Sequence, residues 1–217
     1  MTVIPRLETE RLILRGWRDG DREPFARLNA DPRVAEFLPR ALSRDESDAL
    51  VDRIVRHWAD DGVGQWAVER REDGAFLGFA GLSVPKFEAL FMPAVEVGWR
   101  FAVGAWGHGY ATEAAREALA FGFEERGLDE VVSFTVPANA RSRAVMARLG
   151  MARDPADDFD HPNLPPESPL RRHVLYRLAR VDWQAGQRGG ANPIPSVDSA
   201  SAILGDPGSG DVDGAQV

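Results

Sequence analysis

The stretch that decides the reading is Trp99-Arg-Phe-Ala-Val-Gly-Ala-Trp-Gly-His-Gly-Tyr-Ala-Thr-Glu-Ala-Ala115. It runs as strand, glycine-rich turn, then helix. Gly107 and Gly109 permit dihedrals and close approaches that a Cβ would forbid. A helix opening at Tyr110 presents first-turn amides with no internal acceptor, and its dipole adds partial positive charge there. Together these features make a cradle for phosphate or diphosphate. The same glycine pair also suits a plain tight turn. No Gly-Lys-Ser/Thr occurs, which excludes a P-loop. The third glycine of a dinucleotide fingerprint is missing, and strands that read as antiparallel precede the turn.

Working outward, Ala94-Val-Glu-Val-Gly-Trp-Arg-Phe101 alternates. Val95, Val97, Trp99 and Phe101 share one face, and Glu96, Gly98 and Arg100 the other. Upstream, Gly64–Arg70 and Phe76–Leu82 flank Arg71-Glu-Asp-Gly74 as a hairpin. A first strand is read over 12–17, followed by a helix capped at Asp19 or Asp21 with Pro24 just inside its first turn. Ser43-Arg-Asp-Glu46 forms a capping box, opening a helix with Leu50, Ile54, Val55 and Trp58 on its buried stripe.

Downstream, the helix from Tyr110 to about Arg126 has a face of small residues (Ala111, Ala114, Ala115, Ala118, Leu119, Gly122) that permits close approach to a sheet. Gly127 ends it. A strand at 130–136, a helix opened by Asn139 and stopped by Gly150, and a closing strand at 172–178 complete the body. Three successive strands imply an antiparallel half, so the expectation is a mixed α/β (α+β) plan and not a doubly wound sheet.

The 217 residues, 44% hydrophobic with net charge -8, suffice for one domain with a real core. With no cysteine, a disulfide scaffold, a thiol nucleophile and a thiolate metal site are excluded. His57, His108, His161 and His173 are scattered, which argues against a metal site. The acidic balance disfavours nucleic acid as partner. The opening MTVIPRLETERLILRG has no uninterrupted apolar core, and no run approaches a membrane span, so no membrane association and a cytoplasmic protein are expected. Composition changes at Gln184: a domain over 1–183 and a flexible Gly/Pro/Ser-rich acidic tail over 184–217 are expected. A proline-rich segment over 154–170, carrying Phe159, Asp160 and His161, reads either as a lid over a site or as a stiff surface loop.

WGHGYATEA, the strand EVGWRF before it and PANARSRAVMARLGM after it resemble the GNAT superfamily of acetyl-CoA-dependent N-acetyltransferases. LETERLILRGW and Asn139-x-x-Ser142…Arg-Leu-Gly150 resemble its RimJ/RimL-type branch of ribosomal-protein N-terminal acetyltransferases. The resemblance spans roughly 7–180 and implies the GNAT fold, with helices on both sheet faces and the fourth and fifth strands splayed apart. It implies acetyl-CoA as co-substrate, held by the main chain of Trp106, Gly107, His108, Gly109, Tyr110, Ala111 and Thr112, with no metal. The fourth-strand end at Phe101, Ala102 and Val103 would pair with the pantetheine arm. Asn139 would meet its amide side, and Ser142 would lie near the sulfur. A common tyrosine acid is replaced by Met146, so Ser142 inherits that role.

Glu96 is the candidate base, on the non-aliphatic face of its strand, with a cross-strand surface ion pair as the competing reading. His161 and His173 are alternatives. A main-chain N–H near Val97 or Gly98 could serve the oxyanion. The implied function is acetyl transfer to a primary amine, on a protein N-terminus or a small molecule, by direct attack in a ternary complex. The alternative is an acyl-CoA-binding sensor without turnover. The resemblance also suggests a homodimer.

Overall fold

A computed structural model describes residues 3–188. Its first half comprises β1 (Leu7–Glu8), β2 (Leu12–Arg15), α1 (Asp19–Ala30), α2 (Arg44–Asp60), β3 (Gln65–Arg70), β4 (Phe76–Ser83) and β5 (Glu96–Phe101). Then follow α3 (Tyr110–Ala120), β6 (Glu130–Thr135), α4 (Ala140–Arg148), β7 (Phe159–Asp160), β8 (Arg172–Ala179) and α5 (Arg180–Arg188). The eight strands form one sheet in the order β1-β2-β3-β4-β5-β6-β8-β7. β1 to β5 are an antiparallel meander, and β6, β8 and β7 are antiparallel to one another. β5 and β6, the fourth and fifth strands of the sequence reading, are parallel and share a single register pair, Glu96 with Val132. Beyond it β6 follows β8 down to Thr135–Val174, and a slot opens along β5. The mixed sheet with an antiparallel N-terminal half is the fold expected from the sequence.

Strand alternation divides the core. Phe79 joins Phe25, Leu28, Val34 and Val51 beneath α1 and α2, while Ala80 and Leu82 join α3 and α4 residues on the opposite face. The small face of α3 lies against the sheet with Ala114, Ala115, Ala118 and Leu119 at 0% exposure. A Cβ on Gly122 would stand 3.0 Å from Leu82 Cδ1 and 3.2 Å from Leu128 Cδ1, so a larger residue there would make both leucines shift. α3 continues as a π turn over Phe121–Glu125 before Gly127 reverses the chain at φ 66.

Several boundaries differ from the sequence reading. α1 is capped by Arg18, and Asp21 occupies the third helical position, where its Oδ2 accepts the Arg18 main-chain N–H at 2.8 Å. Pro24 therefore lies deeper in the helix than its first turn. Asp21 is drawn inward by Arg15, whose guanidinium binds both its oxygens at 2.7 and 2.8 Å. In α2 the Ser43–Glu46 box is present, but Val51 is buried where Val55, 42% exposed, was expected. α5 carries helix through Arg188, into the stretch read as tail, with Trp183 buried. The rest of that stretch, 189–217, lies outside the described residues. Among the described residues no helix is long and apolar enough to cross a membrane, and no cluster of three or more His, Asp or Glu is arranged to hold a metal.

Candidate active site

Two cavities flank the slot and share Trp99 as a common wall. The larger, about 900 Å³, follows the turn between β5 and α3 and the outer face of α4. Trp106, Gly107, His108, Gly109, Tyr110, Ala111 and Thr112 all line it, as does Phe101. Gly107 and Gly109 adopt φ 77 and 79, the left-handed region where a side chain is strained. The first α3 amide with a partner is Glu113, whose N–H reaches the Gly109 carbonyl at 3.1 Å. The N–H groups of Tyr110, Ala111 and Thr112 precede that bond and belong to the unsatisfied helix start.

Arg11, Arg116, Arg141 and Arg148 also line this cavity. The sequence reading missed them. They come from the turn before β2, from α3 and from α4, segments distant in the chain that only the fold brings to one wall. Arg11 Nη1 donates to the His108 carbonyl at 3.0 Å and fixes the turn.

Ala102 and Val103, assigned by resemblance to this groove, are not among its walls. Ala102 N–H is spent on the Leu77 carbonyl at 2.9 Å, and both residues pack with the α1–α2 core as the chain coils into a single 3₁₀ turn, Val103–Ala105. The β5 main chain alternates. Val132 N–H reaches the Val95 carbonyl at 2.9 Å, so odd-numbered residues face β6 and the slot, and even-numbered ones face β4. Gly98 N–H is thus turned away from the slot, Val97 belongs to the parallel pair with Val132, and the open slot-side edge belongs to Trp99 and Phe101.

The smaller cavity, about 440 Å³, lies on the far side of Trp99 and is lined by Glu96, Gly98 and Arg100 of β5, together with Asn139, Ser142 and Met146 of α4. Glu96 makes no ion pair among the described residues. Burial pushes its carboxyl up from 4.5 to about 8, opposed by the Ser83 hydroxyl 3.4 Å away. The cross-strand ion pair is therefore not formed. Asn139 caps α4: its Oδ1 accepts Ser142 N–H at 3.0 Å and its Nδ2 donates to Thr135 Oγ1 at 3.1 Å. Asn139 and Ser142 thus border the smaller cavity, not the groove of the larger one. Ser142 N–H is used in the cap, while its Oγ has no hydrogen bond among the described residues. Met146 is 1% exposed.

The 154–170 segment forms the outer wall. Phe159 pairs with His173 across β7 and β8, and His161, Leu164 and Leu170 line the cavity. His161 and His173 lie 5.2 Å apart within a cluster containing Phe87, Phe91, Phe134 and Phe159. Burial lowers both imidazoles, and His173 lowers His161 further. His173 Nδ1 lies 3.1 Å from the Arg171 carbonyl, which assigns its proton to Nδ1 and leaves Nε2 as acceptor. Phe87 and Phe91 come from the β4–β5 connection, which carries no periodic signal in the sequence.

An open parallel pair beside an amide-lined turn frames the site, and comparison with known proteins supplies its class. The acetyltransferase (GNAT) domain family matches residues 11–152. The chain belongs to the GNAT acetyltransferase family, whose activity is acetyl transfer from acetyl-CoA. It is 32% identical over 191 residues to the FsC-acetyl coenzyme A-N(2)-transacetylase of Aspergillus fumigatus, covering 85% of this chain and 80% of that one. It is also similar to the crystal structure of an acetyltransferase from Agrobacterium tumefaciens, at 30% identity and TM-score 0.65, covering 81% and 94% of the two chains. The ribosomal-protein-S5-alanine acetyltransferase of Vibrio fischeri shares the fold at 17% identity and TM-score 0.65, covering 83% and 99%.

Proposed function

We propose that the protein transfers acetyl from acetyl-CoA directly to a primary amine in a ternary complex. The observation that carries this reading is the pair of cavities meeting at Trp99, one with an amide cradle and the other with a proton acceptor. The larger fits coenzyme A: amides at 107–112 suit the diphosphate and the flanking arginines suit phosphate oxygens. The amine enters the smaller cavity, where Glu96, or the Nε2 of His173, takes its proton. Its nitrogen attacks the thioester carbon, the N–C bond forms as the C–S bond breaks, and Ser142 Oγ gives a proton to the departing thiolate. The slot-side N–H of Trp99 stabilises the oxyanion. Holding both reactants across one slot supplies most of the rate, because a thioester is already activated.

The acceptor is a protein N-terminus, as in the RimJ/RimL-type branch, or a small-molecule amine. The fold shared with the Vibrio fischeri enzyme supports the first and the name of the Aspergillus relative the second. A cytoplasmic homodimer belongs to the same reading and rests on sequence and resemblance alone.

A second reading, an acyl-CoA-binding sensor, is favoured by one feature, Met146 where a proton donor is common in the family. Thiol release separates the two. Purified protein with acetyl-CoA and a panel of amines should liberate free CoA in step with acetylated amine. Tight acetyl-CoA binding with no release from any amine would establish the sensor instead.

A further inference from the structure

Arg100 projects from the cavity side of β5, the same face as Glu96 and four residues from it. Its Nη1 donates to Asn29 Oδ1 at 2.7 Å, and its guanidinium carbon lies 5.6 Å from the centre of the Phe79 ring. No carboxylate among the described residues pairs with it. Arg15 shows the usual arrangement for a guanidinium in this interior, bound by both Asp21 and Glu69. Desolvating a cation without an anion is costly, and Arg53 adds repulsion to that cost.

The support behind Arg100 is a neutral buried relay. Asn29 is 1% exposed and its Nδ2 donates to Ser47 Oγ at 2.9 Å, with Ser47 at 0% exposure. A residue so held is aimed without being neutralised. The guanidinium fork suits a planar carboxylate. The same cavity carries apolar side chains, Phe37, Leu38, Leu164 and Leu170. The two Cα atoms are about 13 Å apart along the strand.

We propose that Arg100 binds a carboxylate of the amine acceptor, so that the acceptor is amino-acid-like, with its carboxylate several bonds from the reacting nitrogen. The inference rests on reading the smaller cavity as the acceptor site. The amine end sits at Glu96, the carboxylate end at Arg100, and an aliphatic or aromatic middle lies against the apolar wall.

The test compares 6-aminohexanoate with hexylamine, which have similar length and differ by the carboxylate, in thiol release by the full chain and its Arg100→Gln and Arg100→Lys variants. Wild type should favour 6-aminohexanoate in kcat/KM by about 30-fold or more. Arg100→Gln should collapse that ratio to near unity, chiefly through KM, while the coenzyme A Kd stays at the wild-type value. Arg100→Lys should retain part of the preference, and it stands in if Arg100→Gln fails to fold. Equal use of both amines by wild type, or an unchanged ratio in the variants, would overturn the proposal. If no amine releases thiol, the enzyme reading itself has failed. Arg100 is then judged by thermal shift with hexanoate: stabilisation of wild type and not of the variant supports carboxylate binding, and none in wild type refutes it.

Discussion

Arg11 and Glu113 are joined through side chain and main chain: Arg11 Nε and Nη2 stand 2.7 and 2.6 Å from Glu113 Oε2, and the Arg11 main-chain N–H stands 3.0 Å from Oε1. Thr9 Oγ1 adds a further bond to the same carboxylate at 2.5 Å. These contacts tie the corner before β2 to the first turn of α3, where the amide cradle lies. Arg11 also neutralises an anion that would otherwise face a bound diphosphate. Arg11→Ala should therefore raise the coenzyme A Kd by about ten-fold or more, the scale of one charge-assisted hydrogen bond. Glu113→Gln, which removes the repelling charge, should not weaken binding by calorimetry. Equal weakening in both variants would show that only the fold of the turn matters.

Glu96→Gln should lower kcat by about 100-fold or more while leaving acetyl-CoA affinity unchanged. With its carboxyl at about 8, the wild-type rate should climb through that pH as the base ionises, and the variant should lose that limb. Stability carries the opposite trend. The folded protein keeps a proton that the unfolded chain releases near 4.5, so this contribution is full below 4.5 and declines as pH rises to about 8. Chemical denaturation across that window should show a shallower decline in Glu96→Gln.

Asn139→Ala removes the α4 cap and the tie to Thr135. A loss of about 1 kcal/mol or somewhat more is expected from urea melts. Asn139→Asp keeps the accepting oxygen and should recover most of it. A full recovery of stability with activity still lost would indicate that the Nδ2 group also meets the substrate.

Ser142→Ala should reduce turnover more than it weakens coenzyme A binding. Its Oγ makes no hydrogen bond among the described residues, so melting temperature should not fall. Wild-type values for both constants would remove Ser142 from the chemistry.

Asp21→Ala should destabilise by about 3–5 kcal/mol, because Arg15, 5% exposed, loses its bidentate partner. A change below 1 kcal/mol in denaturant titration would mean that Glu69 alone neutralises Arg15.

Legibility in the sequence tracks how local the physics is. The Ser43–Glu46 box, the Gly107–Gly109 turn, the Asn139 cap and the small face of α3 are each set by neighbours within a turn or two, and each was readable in advance. Val51 took the place of Val55 because the crossing of α1 over α2 selects the buried stripe. Ala102 and Val103 left the groove because β5 ends at Phe101, a boundary set by partners on β4.

Periodicity and turn chemistry in the chain alone determined the order of the longer elements from β2 to β8, the antiparallel half of the sheet and the glycine turn before α3. Only the tertiary structure decided which charges meet. Among the described residues Glu96 stands without a cation and Arg100 without a carboxylate, and four arginines from distant segments share one wall. The reason is that capping and alternation act over a few residues, while desolvation and charge pairing depend on what the folded chain brings together across the sheet.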